Sequence, residues 1–363
     1  MFLNNPFTDA FGLDIGDLSI KLLQLQRHTA FRKQPMFVVK NSRSVSLPPG
    51  YIVNGELQQP EMVRKKLLQL LGKDGQQKPI RSTWVISDLP EPKTFLKLIE
   101  IETPPTQITG DDAIFHARRH LPYDIEETYM DWCVVNAADT RARVAQVLIG
   151  AAPKIIADSY TYLLHSVGLT PIAMEIEAIA IARAMITANK AYDGEARAIL
   201  DLGATRSSLM IYDHNSIQFS TTLNFSGELV NTALIQELKL DYEQVENLKI
   251  KNGLAYDDQY PGYLKAVTGL TEGLIGEIKT AINFYKEHFS NTNPVTHITM
   301  CGGISNMKNI DNFISRKLKI SAHPGHPWKN LFNPKFTETD NLNSRSMASA
   351  IGLALRAAKP ILD

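Results

Sequence analysis

The segment FGLDIGDLSIKLLQL, residues 11–25, runs an apolar strand into Asp14-Ile15-Gly16, turns through Asp17 and Leu18, and returns as a second strand carrying Ser19 and Lys21. The same grammar recurs at residues 199–212, ILDLGATRSSLMIY, where Asp201-Leu202-Gly203 precedes a polar turn with Thr205 and another apolar strand. Glycine behind the acid lets the chain turn tightly and lets backbone N–H groups approach a ligand with no Cβ between them. One such lip is what an ordinary tight hairpin shows. Two copies in separate halves, each behind an apolar strand, read as two arms closing on one phosphate chain.

Composition sets the frame around those arms. A chain of 363 residues has room for two domains of ordinary size, and 44% hydrophobic with 21% charged residues is the balance of a soluble globular protein, not a disordered one. Lys+Arg and Asp+Glu are both 38, so nucleic acid is not expected as the partner, since that would call for a basic excess. Cys133 and Cys301 stand far apart without metal-ligand spacing and read as free thiols of a reducing cytoplasm. The start MFLNNPFTDA lacks a basic n-region and a long apolar core, so no secretory signal is expected.

Between the hairpins, residues 36–47 read as a strand, 60–71 as a helix with apolar residues at helical spacing, and 84–89 as a short buried strand followed by a turn. From Lys93 the texture changes. Strand 94–101, helix 109–121, and strands 129–135 and 142–149 make a compact insert, too small for a catalytic domain and large enough for a binding platform. A helix is expected to open at 151–153 and run to 165, then a strand over 170–176 runs straight into 177–188. That last helix is apolar nearly all round, which predicts burial between lobes. Past the second hairpin, strand 217–223 leads through a turn at Gly227 to helix 229–238, a further helix beginning at Asp241, and a long amphipathic helix over 264–289. Strand 298–301 ends in Gly302-Gly303 before helix 306–318, and the small-residue helix 344–358 closes the fold.

Several side chains carry candidate chemistry. An Asp at each strand end, Asp14 and Asp201, suits Mg²⁺, usually through water because that ion keeps much of its hydration. Lys21 either neutralises phosphate charge or is a solvated strand residue. Gly302-Gly303, behind a buried strand, lets backbone approach a flat ligand such as adenine. Glu177, where strand meets helix, is either a first-turn acid favoured by the helix dipole or a carboxylate that positions water against a terminal phosphate. Glu246 and Lys249, an i,i+3 pair, are either a surface ion pair of little energetic value or groups bracketing a ribose.

The order phosphate hairpin, Glu177 helix, phosphate hairpin, Gly-Gly turn resembles the actin-like superfamily of nucleotide-binding proteins. Within it the chain resembles the PilM family of type IV pilus assembly proteins, relatives of the division protein FtsA. GLDIGDLSIK, HLPYDIEETYMDW, AAPKIIADSYTYLLHSVGLTPIAMEIEAIAIARA, DLGATRSSLMIY, EIKTAINFY, CGGISNM and MASAIGLALR carry that likeness.

The resemblance implies a two-lobed, ribonuclease H-like duplicated fold with a strand-helix-strand-strand insert. Lobe 1A would take 1–90, 154–190 and 345–363, subdomain 1C 91–153, lobe 2A 191–235 and 291–344, and subdomain 2B 236–290. ATP with Mg²⁺ would lie between the hairpins, with Asp14 and Asp201 on the ion. Gly16, Ser19, Lys21, Gly203, Thr205 and Gly227 would stand around the nucleotide, Glu246 and Lys249 on the adenosine, Gly302 and Gly303 along adenine, and Glu177 as the catalytic carboxylate that positions water. By the same likeness the partner is the N-terminal tail of a PilN-type inner-membrane protein, seated in a groove between 1A and 1C. That would make the chain a cytoplasmic scaffold held at the inner membrane, with any hydrolysis slow and regulatory. An actin-like filament ATPase, assembling head to tail, is the other reading. A metabolic kinase is disfavoured because the insert offers no acid–base pair for a substrate hydroxyl. Asp17 and Leu18 depart from the family's small hydroxyl residues, Arg206 intrudes into the second hairpin, and HPGHPWKNLFNP is a loose match to the family's ANPF segment.

Overall fold

A computed structural model of the chain describes residues 6–28, 36–137, 139, 141–332 and 344–358. The end of HPGHPWKNLFNP, residues 333–334, lies outside them, as do the outermost residues of lobe 1A and part of the expected lobe 2A.

The first hairpin is β1 (Phe11–Ile15) and β2 (Ser19–His28), followed by β3 (Met36–Ser46), the small pair β4 (Ile52–Val53) and β5 (Glu56–Leu57), helix α1 (Pro60–Leu70) and β6 (Trp84–Leu89). The insert comprises β7 (Phe95–Ile101), α2 (Gly110–Ala117), β8 (Thr128–Val134) and β9 (Ala145–Pro153). Helix α3 (Lys154–Ser166), β10 (Thr170–Ile176) and α4 (Glu177–Met185) lead to the second hairpin, β11 (Ala196–Leu202) and β12 (Ser207–Asp213). Then come β13 (Ser216–Leu223), α5 (Gly227–Leu238), α6 (Tyr242–Asn252), α7 (Gly262–His288), β14 (Val295–Cys301), α8 (Ile310–Leu318), β15 (Ser321–Pro324) and α9 (Ala348–Ala357).

Two sheets carry the lobes. The first runs β10-β6-β1-β2-β3, with β1 parallel to β6 and antiparallel to β2. The second runs β15-β14-β11-β12-β13-β7-β9-β8, so the insert's strands extend the sheet of the second hairpin. Phe219 on β13 pairs with Lys97 on β7 at that junction. Sequence order hides this join, because β7 leaves the chain beside the first sheet.

Helices α4 and α9 fill the space between the sheets. Their cluster joins Leu23, Leu25 and Phe37 of the first sheet to Ile199, Met210 and Ile217 of the second. Ala178, Ala180, Ile181, Ala182 and Ala184 of α4 are all buried, as its apolar circumference predicts. Small residues let the two helices approach, and a Cβ on Gly352 would fall on the backbone of Ala180.

Several boundaries differ from the sequence reading, among them the end of the insert helix at Ala117 and the start of β9 at Ala145. Residues 151–153 end β9 instead of opening α3, because they continue its buried pairing with β7 and β8 as far as Pro153. Helix α4 stops at Met185, where Ile186 is extended. Gly303–Asn306 winds as a short 3₁₀ turn, and α8 starts only after Asn309 at φ +66°. A similar turn, Arg345–Met347, precedes α9.

Candidate functional site

Hairpin register builds the floor of the site. In the β1–β2 pair Asp14 lies opposite Lys21, so both side chains leave the same face, and Lys21 Nζ donates to Asp14 Oδ2 at 2.9 Å. Burial works to lower the Lys21 pKa, and the buried Asp14 beside it outweighs that and raises it. Lys21 is therefore held as a cation. The Gly16 N–H closes its turn on the Ser19 carbonyl at 3.0 Å, and the Gly203 N–H closes the other on the Arg206 carbonyl at 3.0 Å. Ser19 and Arg206 are thus equivalent positions of one construction used twice. A Cβ on Gly203 would stand 2.5 Å from the Arg206 carbonyl oxygen, so that turn requires glycine.

The acids come from four elements. Asp201 lies opposite Cys301 in the parallel β11–β14 pair and accepts from its Sγ–H at 3.5 Å. Burial, and then the Glu177 charge, push Asp201 up to about 7. Glu177 opens α4, whose N-cap Ile176 supplies no side-chain bond. Its pKa is raised by burial; Arg206 opposes the shift and Asp14 adds to it. Asp88, at the carboxyl end of β6, accepts from the Ile15 N–H at 3.2 Å and the Ser349 hydroxyl at 2.9 Å. Burial, Asp14 and Glu177 raise its pKa well above the carboxylate range. Oxygens of Asp14, Asp88 and Glu177 lie within 4.8 Å of one another. The sequence reading paired Asp14 with Asp201 for the ion; Asp201 is not in that close group.

Two side chains that depart from the family pattern meet across the site. Arg206 Nη1 lies 3.2 Å from Asp17 Oδ1, and its Nη2 lies 3.4 Å from Glu177 Oε2. The intruding arginine of one hairpin thus faces the intruding acid of the other.

On the far wall Glu246 and Lys249 are not a loose surface pair. Lys249 is 5% exposed and donates to Glu246 Oε2 at 2.6 Å and to Asn231 Oδ1 at 2.8 Å. Asn231 Nδ2 donates back to Glu246 at 2.7 Å. Gly302 takes φ +80°, conformational space open to glycine at little cost, and its N–H donates to the Arg345 carbonyl at 2.9 Å.

Most of these groups line one cavity of about 560 Å³, with Asp88, Asn231 and Cys301 behind its wall; its volume is within the size of ordinary small-molecule sites. Every candidate is on its wall: Asp14, Gly16, Ser19, Lys21, Glu177, Asp201, Gly203, Thr205, Gly227, Glu246, Lys249, Gly302 and Gly303. Arg345 and Asn306, joined at 2.7 Å, also line it and were not anticipated. Asp88 was missed because Ser87-Asp88-Leu89-Pro90 looks like a turn; the usable signal was an acid at the carboxyl end of a parallel strand, where open α/β sheets bind ligands.

A shallower depression of about 280 Å³ lies where the insert meets the first lobe, lined among others by Leu89, Tyr129, Trp132, Leu148, Ile176 and Ile179. Among the described residues no helix is long and apolar enough to cross a membrane.

The family described as type IV pilus assembly protein PilM matches residues 12–358. A solved structure titled "PilM-PilN type IV pilus biogenesis complex" aligns with TM-score 0.80 at 22% identity, covering 98% of this chain and 100% of that one. The ethanolamine utilization protein EutJ of Carboxydothermus hydrogenoformans aligns with TM-score 0.55 at 12% identity, over 95% of this chain and 88% of that one. MreB 5 of Spiroplasma citri bound to AMPPNP aligns with TM-score 0.53 at 12% identity, over 96% and 95%. The fold is that of the actin-like ATPases.

Proposed function

The chain belongs to the PilM family of type IV pilus assembly proteins, and from that premise we propose that it is an ATP-binding scaffold whose cleft governs a docking groove for the tail of a PilN-type membrane protein. The observation that carries this reading is the pair of equivalent hairpin turns, closed by Gly16 and Gly203, facing one cavity that holds every candidate residue. The division into 1A, 1C, 2A and 2B given above belongs to the same proposal.

The residues present fit ATP with Mg²⁺. Gly16 and Gly203 close tight turns on the cavity wall, and Lys21 is a cation beside the first of them. The acids supply the oxygen ligands Mg²⁺ prefers, Asp14 with Asp88 and Glu177 nearest and Asp201 through water. Bound there, the ion would offset phosphate charge among crowded carboxylates. Burial first, and then the neighbouring carboxylates, raise the pKa values of Asp88, Glu177 and Asp201, a penalty on their charged forms that a bound cation would relieve. The Lys249–Asn231–Glu246 network holds two polar side chains rigidly where the adenosine would lie. Glu177, at the start of α4, would orient water toward a terminal phosphate. The groove at the insert suits an extended apolar-basic tail, with Tyr129 and Trp132 as its aromatic anchors. MreB 5, which shares the fold, was solved with AMPPNP.

Calorimetric titration with ATP tests the site. Asp14→Ala should weaken binding about tenfold or more with Mg²⁺ present and much less with chelator. Equal affinity in a variant that melts cooperatively would remove Asp14 from the metal.

A further inference from the structure

The nucleotide reading explains Lys21 and the glycine turns but gives no task to Arg206. Its guanidinium lines the cavity, is 15% exposed, and draws both its carboxylate partners from the opposite side of the cleft. Those contacts, 3.2 and 3.4 Å, are longer than the roughly 2.7–2.9 Å of a settled charge-assisted hydrogen bond. A guanidinium offers five N–H donors in a planar fork, so two long contacts leave donors to spare.

Each partner is also supported without it. Asp17 accepts the Asn54 N–H at 3.2 Å and the Gly55 N–H at 3.1 Å, so its charge stays solvated by backbone if the arginine turns away. Glu177 sits at the positive end of α4. Burial alone would lower the Arg206 pKa; Glu177 and Asp17 more than offset it and raise it. The cation is thus permanent, and its present partners are exchangeable. Lys21, the other cation at the hairpins, is already committed to Asp14 at 2.9 Å.

We propose that Arg206 discriminates a nucleoside triphosphate from a diphosphate, exchanging Asp17 and Glu177 for the terminal phosphate when the longer chain enters. This rests on the nucleotide reading of the cleft and adds its specificity-determining residue. A phosphate presents oxygens that match the planar fork two at a time. It also carries more charge than either carboxylate it displaces. A diphosphate, lacking that terminal phosphate, would leave the contacts of Arg206 with Asp17 and Glu177 intact.

The experiment is a calorimetric comparison of AMPPNP and ADP, with Mg²⁺, on the full chain and on Arg206→Gln, Arg206→Lys and Asp17→Asn. Wild type should prefer AMPPNP. Arg206→Gln should lose tenfold or more in AMPPNP affinity and less than threefold in ADP affinity, and Arg206→Lys, keeping charge without the fork, should fall between. Asp17→Asn, which removes a competing carboxylate, should tighten AMPPNP. An unchanged AMPPNP-to-ADP ratio in both arginine variants, with ADP still bound, overturns the role of Arg206 and leaves the cleft assignment standing. Wild type that binds neither nucleotide overturns both.

Discussion

Glu91 shows how one buried side chain ties stability to pH. It is 6% exposed, its Oε2 finds no hydrogen-bond partner among the described residues, and burial pushes its pKa up to about 7, with Ser220 lowering it and Glu177 raising it. The folded pKa exceeds the ordinary value, so the folded chain holds this proton more tightly than the unfolded one. The associated stability is complete below about pH 4.5 and is lost as pH rises through about 7. A change of that size is worth on the order of 3 kcal/mol at most. Glu91→Gln keeps the shape and removes the titration. It should raise the melting temperature at pH 8 and flatten the fall between about pH 4.5 and 7, while Asp201 sustains a remaining slope. Parallel pH profiles for variant and wild type would show that Glu91 is not held neutral.

At the scale of elements, the helix pair at the centre decides how the lobes are joined. Gly352 of α9 lies so close to Ala180 of α4 that a Cβ would meet backbone, whereas a Cβ on Gly276 of α7 would meet nothing within 4 Å. One substitution therefore has opposite signs at the two places. Gly352→Ala should destabilise by about 1–3 kcal/mol through overpacking, and Gly276→Ala should stabilise by about 0.5–1 kcal/mol through helix propensity. Denaturant midpoints that move the same way for both would contradict the close crossing. The apolar circumference of residues 177–188 and the small-residue run MASAIGLALRAA made both helices legible in advance. The hairpin glycines and acids were equally plain, because local grammar specifies a turn. What stayed hidden were the individual side-chain contacts across distance. Asn231 turns Glu246 and Lys249 from a surface pair into a buried network, yet it belongs to α5. Asp17 and Arg206 each read as a lapse from pattern, and only their meeting explains both.

For the whole molecule, the decisive feature is that the insert leaves the first lobe and joins the sheet of the second. Phe219 of β13 pairs with Lys97 of β7, and Phe219 packs against Phe284 at 5.3 Å and Phe289 at 5.6 Å. Lys97 Nζ lies over the same two rings at 5.6 and 5.7 Å, and the Ser290 hydroxyl donates to Glu100 at 2.9 Å. On its other side the insert shares the shallow groove with β10 and α4. A change in the angle between lobes must therefore shear that groove, unless the β7–β13 junction gives way. Two sites biasing one such element are coupled reciprocally, by a typical 1–3 kcal/mol or roughly 5–150-fold in affinity. A synthetic apolar-basic tail peptide should accordingly bind wild type with an affinity that MgATP changes at least fivefold. In the double variant Phe219→Ala/Lys97→Ala the peptide and the nucleotide should each still bind, because neither residue lines the cleft or the groove, and the MgATP effect should shrink below twofold. A full nucleotide effect in that variant would move the coupling elsewhere, with α4 as the remaining bridge. A peptide that binds neither form, with or without MgATP, would remove the tail from the groove altogether.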